Sequence, residues 1–476
     1  MKQRQFFENC GVFGCFVRGA DAPIYALAGI SALQHRGQEN AGLAASYNGS
    51  FEVVKGVGLV KDVLNPERIS RMRANLAIAH TRYGTSWDIS GEMVDHSQPA
   101  EALIPGRGIL AVSHNGNIPI ISPMRAFLEN RGINTFRMND SEMITAVIGA
   151  HLRDGLEIEE AVRMSLTRYV KGAYALIIMF EDKLIAVRDP YGIRPLVRGK
   201  KGDDTFFASE SCAFDEIGIK YTGDVEAGEM VVVDKSGTRS LFLSRFRARL
   251  EIFELFYLMN RNSLYKGKRV GDIRFKFGKI LAREVKSDAD IVVPVPDTAI
   301  DAALGYAFAS GKEYAIGLIK NEDIGRTFIS PGQLTREEMV DIKFRVDVSK
   351  VKGKKIDMID DTDVRGTTSV VNTRKLREAG AIKVYKRNSS PPISHRNGYG
   401  IDLPTYEELL AYNRTLEQMR ERLGVDELSF LSIKGMIEAT GETEEDFDLS
   451  CLNGDYPIDL EERTELSGKQ PEVPAL

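Results

Sequence analysis

Ile359-Asp360-Asp361-Thr362-Asp363-Val364-Arg365-Gly366-Thr367-Thr368-Ser369 joins an apolar run, Lys355–Ile359, to a helical pattern over Thr367–Glu378. Two acids close the strand, a glycine makes the turn, and three hydroxyl residues open the helix. A helix start presents unpaired N–H groups to an anion. The hydroxyls of Thr367, Thr368 and Ser369 add donors that suit a terminal phosphate. Asp360 and Asp361 suit ribose hydroxyls or a hydrated Mg²⁺. Gly366 permits the turn and a close backbone approach. An ordinary capped strand–helix turn is the competing reading, and it explains neither the acidic pair nor the hydroxyl run.

Working outward, Ala289–Val295 and Ile382–Tyr385 read as further strands, with a helical stretch from Ala299. Strands alternating with helices predict a parallel sheet covered on both faces. Ligands of such sheets sit at the carboxyl ends of the strands. Pro294-Val295-Pro296-Asp297-Thr298 ends one of them and faces the same crevice, its backbone fixed by two prolines. Toward the N-terminus, the basic stretch 235–250 opens on a turn signal and is where a domain boundary is expected. Toward the C-terminus, the acidic stretch 442–448 reads as a solvated tail, with a poorly ordered end past Pro457.

The first half reads differently. Short strands (Leu76–Ala79, Ile109–Val112, Ala173–Phe180) are punctuated by Gly and Asn, with helical patterns over Ile24–Leu33 and Ser141–Leu152. Runs of strands flanked by helices predict a layered sandwich. Cys10 taken alone reads as a small buried residue, and Cys15 keeps that reading. Removal of residues 1–9 would give Cys10 a free α-amine beside its thiol. An α-amine titrates near ~7.7–8, so one residue would supply both nucleophile and base. Arg82, after the run 76–79, could grip a carboxylate with two parallel hydrogen bonds or be a loop arginine. Asn115-Gly116 is a hairpin signal, and an Asn amide beside a Gly N–H also makes an oxyanion hole.

Composition limits the alternatives. The chain has 476 residues, 43% of them hydrophobic and 28% charged, which suggests two or three domains and excludes disorder as the main state. A net charge of -5 disfavours nucleic-acid binding, and no apolar run approaches the ~20 residues of a membrane span. Four cysteines without a CxxC pair, and no secretory signal, point to a reducing cytoplasm.

The motifs Cys10-Gly-Val-Phe-Gly14, Leu33–Gly42 (LQHRGQENAG), His80–Thr85 (HTRYGT), His114–Asn117 (HNGN), Arg188–Leu196 (RDPYGIRPL), Ala208–Ala213 (ASESCA) and 360–369 occur in order. Together they resemble the amidophosphoribosyltransferases, the glutamine phosphoribosylpyrophosphate (PRPP) amidotransferase family, from Cys10 to about Lys434. The resemblance implies a leader, 1–9, removed on maturation. It implies an α+β N-terminal-nucleophile (αββα) glutaminase domain over 10–240, an α/β type I phosphoribosyltransferase domain over 250–435, and a tail, 436–476. It implies that Cys10 attacks the glutamine amide, Arg82 and Asp140 hold the α-carboxylate and α-ammonium, and Asn115 and Gly116 form the oxyanion hole. Thr298, Asp360 and Asp361 match magnesium-associated positions. Arg365, Gly366, Thr367, Thr368 and Ser369 match the PRPP loop, and Lys320 opens a mobile loop, 320–336, that closes over PRPP. Tyr257 matches an aromatic residue at the domain interface. The implied reaction is amidation of PRPP to 5-phosphoribosylamine with release of pyrophosphate and glutamate. A homo-oligomer and feedback by purine nucleotides are implied as well.

Four positions of an iron–sulfur cluster found in many members read Glu251, Asn397, Asp448 and Cys451 here, so no [4Fe–4S] cluster is expected. Thr298-Ala299 replaces the usual Ser-Gly, Glu322-Asp323 stands in the closing loop, and Asp363 stands inside the PRPP loop. Acids near a polyanion repel it. A divergent amidotransferase with another acceptor, or a non-catalytic PRPP or nucleotide sensor, are the alternatives.

Overall fold

The computed structural model describes residues 10–82, 86–87, 93–94, 96–321, 342–401, 403 and 405–458. The first half is two antiparallel sheets packed face to face. One has seven strands and places Cys10–Phe16 between Leu76–Arg82 and Asp204–Ala208. The other has six and places Lys171–Phe180 between Gly108–Ile120 and Lys183–Arg188. The period-2 alternation of a strand sorts the side chains. Val12 and Phe16 meet Ala175, Ile177 and Met179 between the sheets. Phe13 and Cys15 face the helix Ala22–Ala32. Tyr174, Leu176, Ile178 and Phe180 face the helices Asp140–Arg153 and Ile158–Arg168. Both faces of the central strands are buried, so 173–180 reads as one apolar run. Each such side chain stabilises by about 1.5–3 kcal/mol. This is the expected αββα layering.

The second half has a five-stranded parallel sheet in the order Glu313–Tyr314, Ile291–Pro294, Lys355–Asp360, Lys383–Asn388, Glu427–Phe430. Ile291, Val293, Ile356 and Met358 pack on one face with Leu376, Met419 and Leu423. Val292 and Ile359 pack on the other with Phe277, Leu281 and Tyr306. Helices therefore cover both faces, as the alternation predicts.

Three expectations need correction. Asn115-Gly116 is no hairpin: it lies inside the 13-residue strand Gly108–Ile120, with Asn115 opposite Ala175 and Gly116 opposite Tyr174. The glycine is needed for close approach, since a Cβ there would lie 2.0 Å from the Ala173 carbonyl oxygen. The turn at 235–236 joins Glu229–Asp234 to Gly237–Phe242 within the six-stranded sheet, and that strand ends at Phe242, inside the stretch 235–250 where the boundary is expected. The acidic stretch 442–448 is not a solvated tail. Phe447-Asp448 pairs in parallel with Leu250-Glu251, and Phe447, Leu449 and Leu452 join the core around Phe277. Lys268 and Lys266 pair with Glu442 at 2.7 and 2.9 Å, and Arg247 with Asp446 at 3.1 Å. Spaced apolar residues outweighed the acids once cations neutralised them. The helix Ile433–Thr440 also packs in that core through Met436 and Ile437, so the chain from 436 to 452 belongs to the fold rather than to a tail. The leader and residues 459–476 lie outside the described residues.

Candidate functional site

Cys10 heads an inner strand and is fully buried, opposite Arg82 in the strand register. Arg82 is 1% exposed, with Nη1 donating to the His96 carbonyl at 3.2 Å. His80 Nε2 lies 3.0 Å from the His114 carbonyl, and burial lowers its pKa to about 3, so the ring is neutral and Nε2–H is the donor. That bond ties the Arg82 strand to the strand carrying Asn115 and Gly116. Asn115 Nδ2 donates to Ser209 Oγ at 3.3 Å, and Ser209 Oγ also accepts the Val12 N–H at 3.0 Å, two residues from the nucleophile. Asp140 opens its helix beside the Asn139 capping box. Its carboxylate accepts the Ile118 and Ser141 N–H groups at 3.0 and 2.8 Å. The strands thus bring Cys10, Arg82, Asn115, Gly116 and Asp140 to one end of the sandwich.

The motifs LQHRGQENAG, RDPYGIRPL and ASESCA carry charged residues to which the sequence reading assigned no role. Arg36 donates to the Cys10 carbonyl at 2.8 Å, to Glu210 at 2.6 Å, and to both oxygens of Glu254 at 2.9 and 2.8 Å. Arg194 Nη2 contacts Asn115 Oδ1 at 3.0 Å and Glu254 Oε1 at 3.2 Å. All of these side chains are essentially buried. Burial pushes the Arg194 guanidinium below its ordinary pKa against the pull of Glu254, and the Cys10 thiol is among the groups acting on it. His35, Glu210 and Cys212 lie close enough to suggest a metal site. The Glu210 oxygens, however, accept from Arg36, His35, the Asn260 N–H and Ser263 Oγ. A cation there would face a guanidinium. The signal that would have found this network is an arginine inside an otherwise apolar or Gly-rich motif, because a buried arginine needs a partner.

In the second half, Asp360 ends the strand Lys355–Asp360, and Gly366 caps the helix Thr367–Glu378 at φ 80°. A Cβ at Gly366 would also lie 2.6 Å from Leu423, so glycine is required twice over. Thr367 and Thr368 are half-buried at the helix start, whereas Ser369 is buried. The Ser369 hydroxyl donates to Asp363 at 2.6 Å and so faces the sheet. Asp363 also accepts from Asn388 at 3.0 Å, with Lys386 at 3.5 Å. This answers the concern about its charge, which is spent inward. Ala299 sits at φ −81°, a conformation alanine adopts freely, so this loop needs no glycine there. Arg365 pairs with Glu408 at 3.6 Å, and Lys320 pairs with Asp297. Tyr257 is half-exposed, its ring 5.4 Å from that of Phe253. Glu322 and Asp323, and the closing loop from 322 to 336, lie outside the described residues.

Asp360 and Asp361 are both buried. Lys386 reaches Asp360 at 2.5 Å, and Thr298 donates to Asp361. Burial, and then the Asp360 charge, push Asp361 up to about 7. Two buried carboxyls with more negative charge than Lys386 neutralises make a donor set that fits a divalent cation.

Comparison with known proteins decides the family. A glutamine amidotransferase domain model matches residues 89–216. Over 465 residues the chain is 39% identical to the amidophosphoribosyltransferase of Bacillus subtilis, covering 96% of each. It is 42% identical to that of a Synechocystis species, over 95% of this chain and 91% of the relative. The chain belongs to the amidophosphoribosyltransferase family. A solved structure described as glutamine PRPP amidotransferase from B. subtilis complexed with ADP and GMP superposes with a TM-score of 0.88. It is 38% identical, with 98% of this chain and 99% of that one covered. The likeness spans both halves, so the αββα sandwich and the parallel-sheet unit are the family's fold. No helix among the described residues is long and apolar enough to cross a membrane.

The four positions expected to correspond to the cluster ligands carry a different chemistry. Asn397 donates to Glu251 at 2.6 Å, Cys451 Sγ lies 3.8 Å from Glu251, and Glu251 is hydrogen-bonded to Asp448. Burial, then Asp448, raises the Glu251 pKa well above its ordinary range, and burial raises Asp448 too. The pair holds a proton between them. The Cys451 thiol is pushed up by burial and by both acids. A cluster needs four thiolates. One protonated thiol, an amide and a carboxyl pair do not fit it.

Proposed function

We propose that the chain converts glutamine, PRPP and water into 5-phosphoribosylamine, pyrophosphate and glutamate, the first step of purine synthesis. The observation that carries this reading is the convergence of Cys10, Arg82, Asn115, Gly116 and Asp140 at one end of the sandwich, in a chain that also holds the 360–369 loop. In this reading residues 1–9 are removed and Cys10 gains its α-amine. The thiol loses its proton to that amine and attacks the amide carbon of glutamine. Arg82 grips the α-carboxylate and Asp140 the α-ammonium. Asn115 Nδ2 and the Gly116 N–H receive the oxyanion, the step with the greatest leverage on rate. The amine returns its proton to the leaving ammonia, and water then releases glutamate from the thioester.

The ammonia passes internally to the second site, with Tyr257 at the interface between a 10–240 and a 250–435 domain. There the N–H groups and hydroxyls at Thr367 and Thr368 hold the terminal phosphate, with Gly366 allowing the approach and Arg365 and Lys320 adding positive charge. Ser369 contributes its backbone N–H, its hydroxyl being engaged by Asp363. Asp360, Asp361 and Thr298 would hold Mg²⁺, which supplies charge neutralisation to the diphosphate as it leaves. The ADP and GMP of the B. subtilis structure support feedback by purine nucleotides. The proposed setting is a homo-oligomer in the cytoplasm.

The test is a paired assay on the purified protein after intact-mass analysis. Glutamate and pyrophosphate are followed with glutamine and Mg²⁺, with and without PRPP. Matched release from a chain beginning at Cys10 is the expected result. Glutamate without pyrophosphate would point to another acceptor, and an uncleaved chain that binds PRPP without turnover to a sensor.

A further inference from the structure

A buried asparagine amide has two orientations that exchange its oxygen and nitrogen. Only one of them turns an N–H toward a developing oxyanion. Asn115 is fully buried, so whatever selects its orientation bears directly on the chemistry. A guanidinium has donors only. Arg194 Nη2, 3.0 Å from Asn115 Oδ1, therefore accepts the amide in one orientation, oxygen toward the arginine. Flipping would set two donors against each other without solvent. Nδ2 is then directed to Ser209 Oγ at 3.3 Å, with its second N–H left for the reacting oxygen.

Arg194 needs an anchor of its own. Glu254 supplies it at 3.2 Å, and the same carboxylate holds Arg36, which holds the Cys10 carbonyl. Glu254 lies beyond the sandwich's last strand, in a turn whose Leu255 and Met259 carbonyls accept from Arg274, both at 2.7 Å. Nearby Arg188 spends its guanidinium on three backbone carbonyls at 2.7–2.8 Å, a purely structural use. Arg194 does not: its Nε and Nη1 are buried with no hydrogen-bond partner among the described residues. What it holds is Asn115 and Glu254.

We infer that Arg194 is the positioning residue of the oxyanion hole, anchored by Glu254 from outside the sandwich. This rests on the glutaminase reading of Cys10. The test measures glutamate release by the full chain with PRPP and Mg²⁺ present, for Arg194→Met, Arg194→Lys, Glu254→Gln, Asn115→Ala and the combined variants. Arg194→Met is expected to lower kcat about 100-fold, the scale of one lost oxyanion donor. The glutamine KM should stay within about threefold, since ground-state binding is untouched. Arg194→Lys should recover about tenfold, because a donor and charge return. Arg194→Met combined with Asn115→Ala should be no slower than Asn115→Ala alone. Where Arg194→Met fails to fold, Arg194→Lys carries the test, its smaller kcat loss vanishing in the Asn115→Ala background; Glu254→Gln also loosens Arg36 at the Cys10 carbonyl and only shows that the anchor matters. Effects that multiply in the double variant, or a change in KM alone, would overturn the assignment. A wild-type chain that starts at Cys10 and releases no glutamate would overturn the glutaminase reading itself.

Discussion

Two buried carboxyl pairs lie in the second half of the chain, and their neighbours send them to opposite ends. Asp360 and Asp361 end a parallel strand, where Lys386 neutralises part of their charge and a hydroxyl-lined loop follows. Glu251 and Asp448 face each other across two short parallel strands, and no ion pair reaches either of them among the described residues. The first pair has charge left over for a cation and a substrate. The second satisfies itself with a shared proton, the Asn397 amide and Ser450, whose N–H and hydroxyl donate to Asp448 at 3.0 and 3.1 Å. Residue type alone does not separate a site from a staple. The available cations and the open side of the fold do.

The sharpest way to break this contrast is Asp361→Asn. If the pair serves the substrate, ammonia-dependent release of pyrophosphate from PRPP should fall by about 10- to 100-fold, the worth of one charge-assisted hydrogen bond. Stability at neutral pH should not fall, because burial and Asp360 already disfavour the charge on Asp361 and asparagine still accepts from Thr298. Thermal unfolding and a pyrophosphate assay on the same preparation decide it. Lost stability with intact turnover would make this pair a staple as well.

The converse is Asp448→Ala. It removes the partner of Glu251 and the acceptor of two Ser450 bonds, and should destabilise by about 2–3 kcal/mol through groups left unsatisfied. Steady-state turnover per folded molecule should be unchanged, since among the described residues no hydrogen bond or ion pair runs from Asp448 to a residue of either candidate site. Denaturant unfolding beside a glutaminase assay reads both outcomes.

The contrast also shows what a sequence can carry. The strand–turn–helix at 360–369 was legible because its signals are local: apolar run, acids, glycine and hydroxyls are contiguous, and the strand and helix fall where that order puts them. The two-layer sandwich was legible from strand runs and from motifs. Asn115-Gly116 misled because a turn signal competes with strand pairing, and the neighbours that decide, Ala173 to Ala175, lie some sixty residues away. Arg36, Arg194, Glu210 and Glu254 stand out as charges in apolar or Gly-rich motifs, but their pairing was not legible for the same reason. Each is one charged residue whose partner comes from a distant segment. Asp363 was legible as a charge but not as a direction. Its inward bonds to Ser369 and Asn388 depend on the adjacent strand.

A third prediction separates the pairs by pH. Glu251 keeps its proton in the folded chain to a pH well above its ordinary range. In the unfolded chain it loses that proton near pH ~4.3. Below that value both states hold the proton and the group contributes no pH dependence. Above it the unfolded state is favoured progressively, until the folded pKa is passed, so the native chain should lose stability as pH rises through this window. Glu251→Gln removes the linkage while keeping an oxygen for Asn397 and supplying an N–H for the Asp448 carboxylate. The variant should match wild type near pH 4.5 and exceed it at pH 8. The gain should be about 1.4 kcal/mol for every pH unit over which the folded chain alone holds the proton. Melting curves across that range test it. A constant offset between the two proteins would mean that Glu251 is ionised in the folded chain. The Glu251–Asp448 contact would then be an uncompensated charge pair rather than a shared proton.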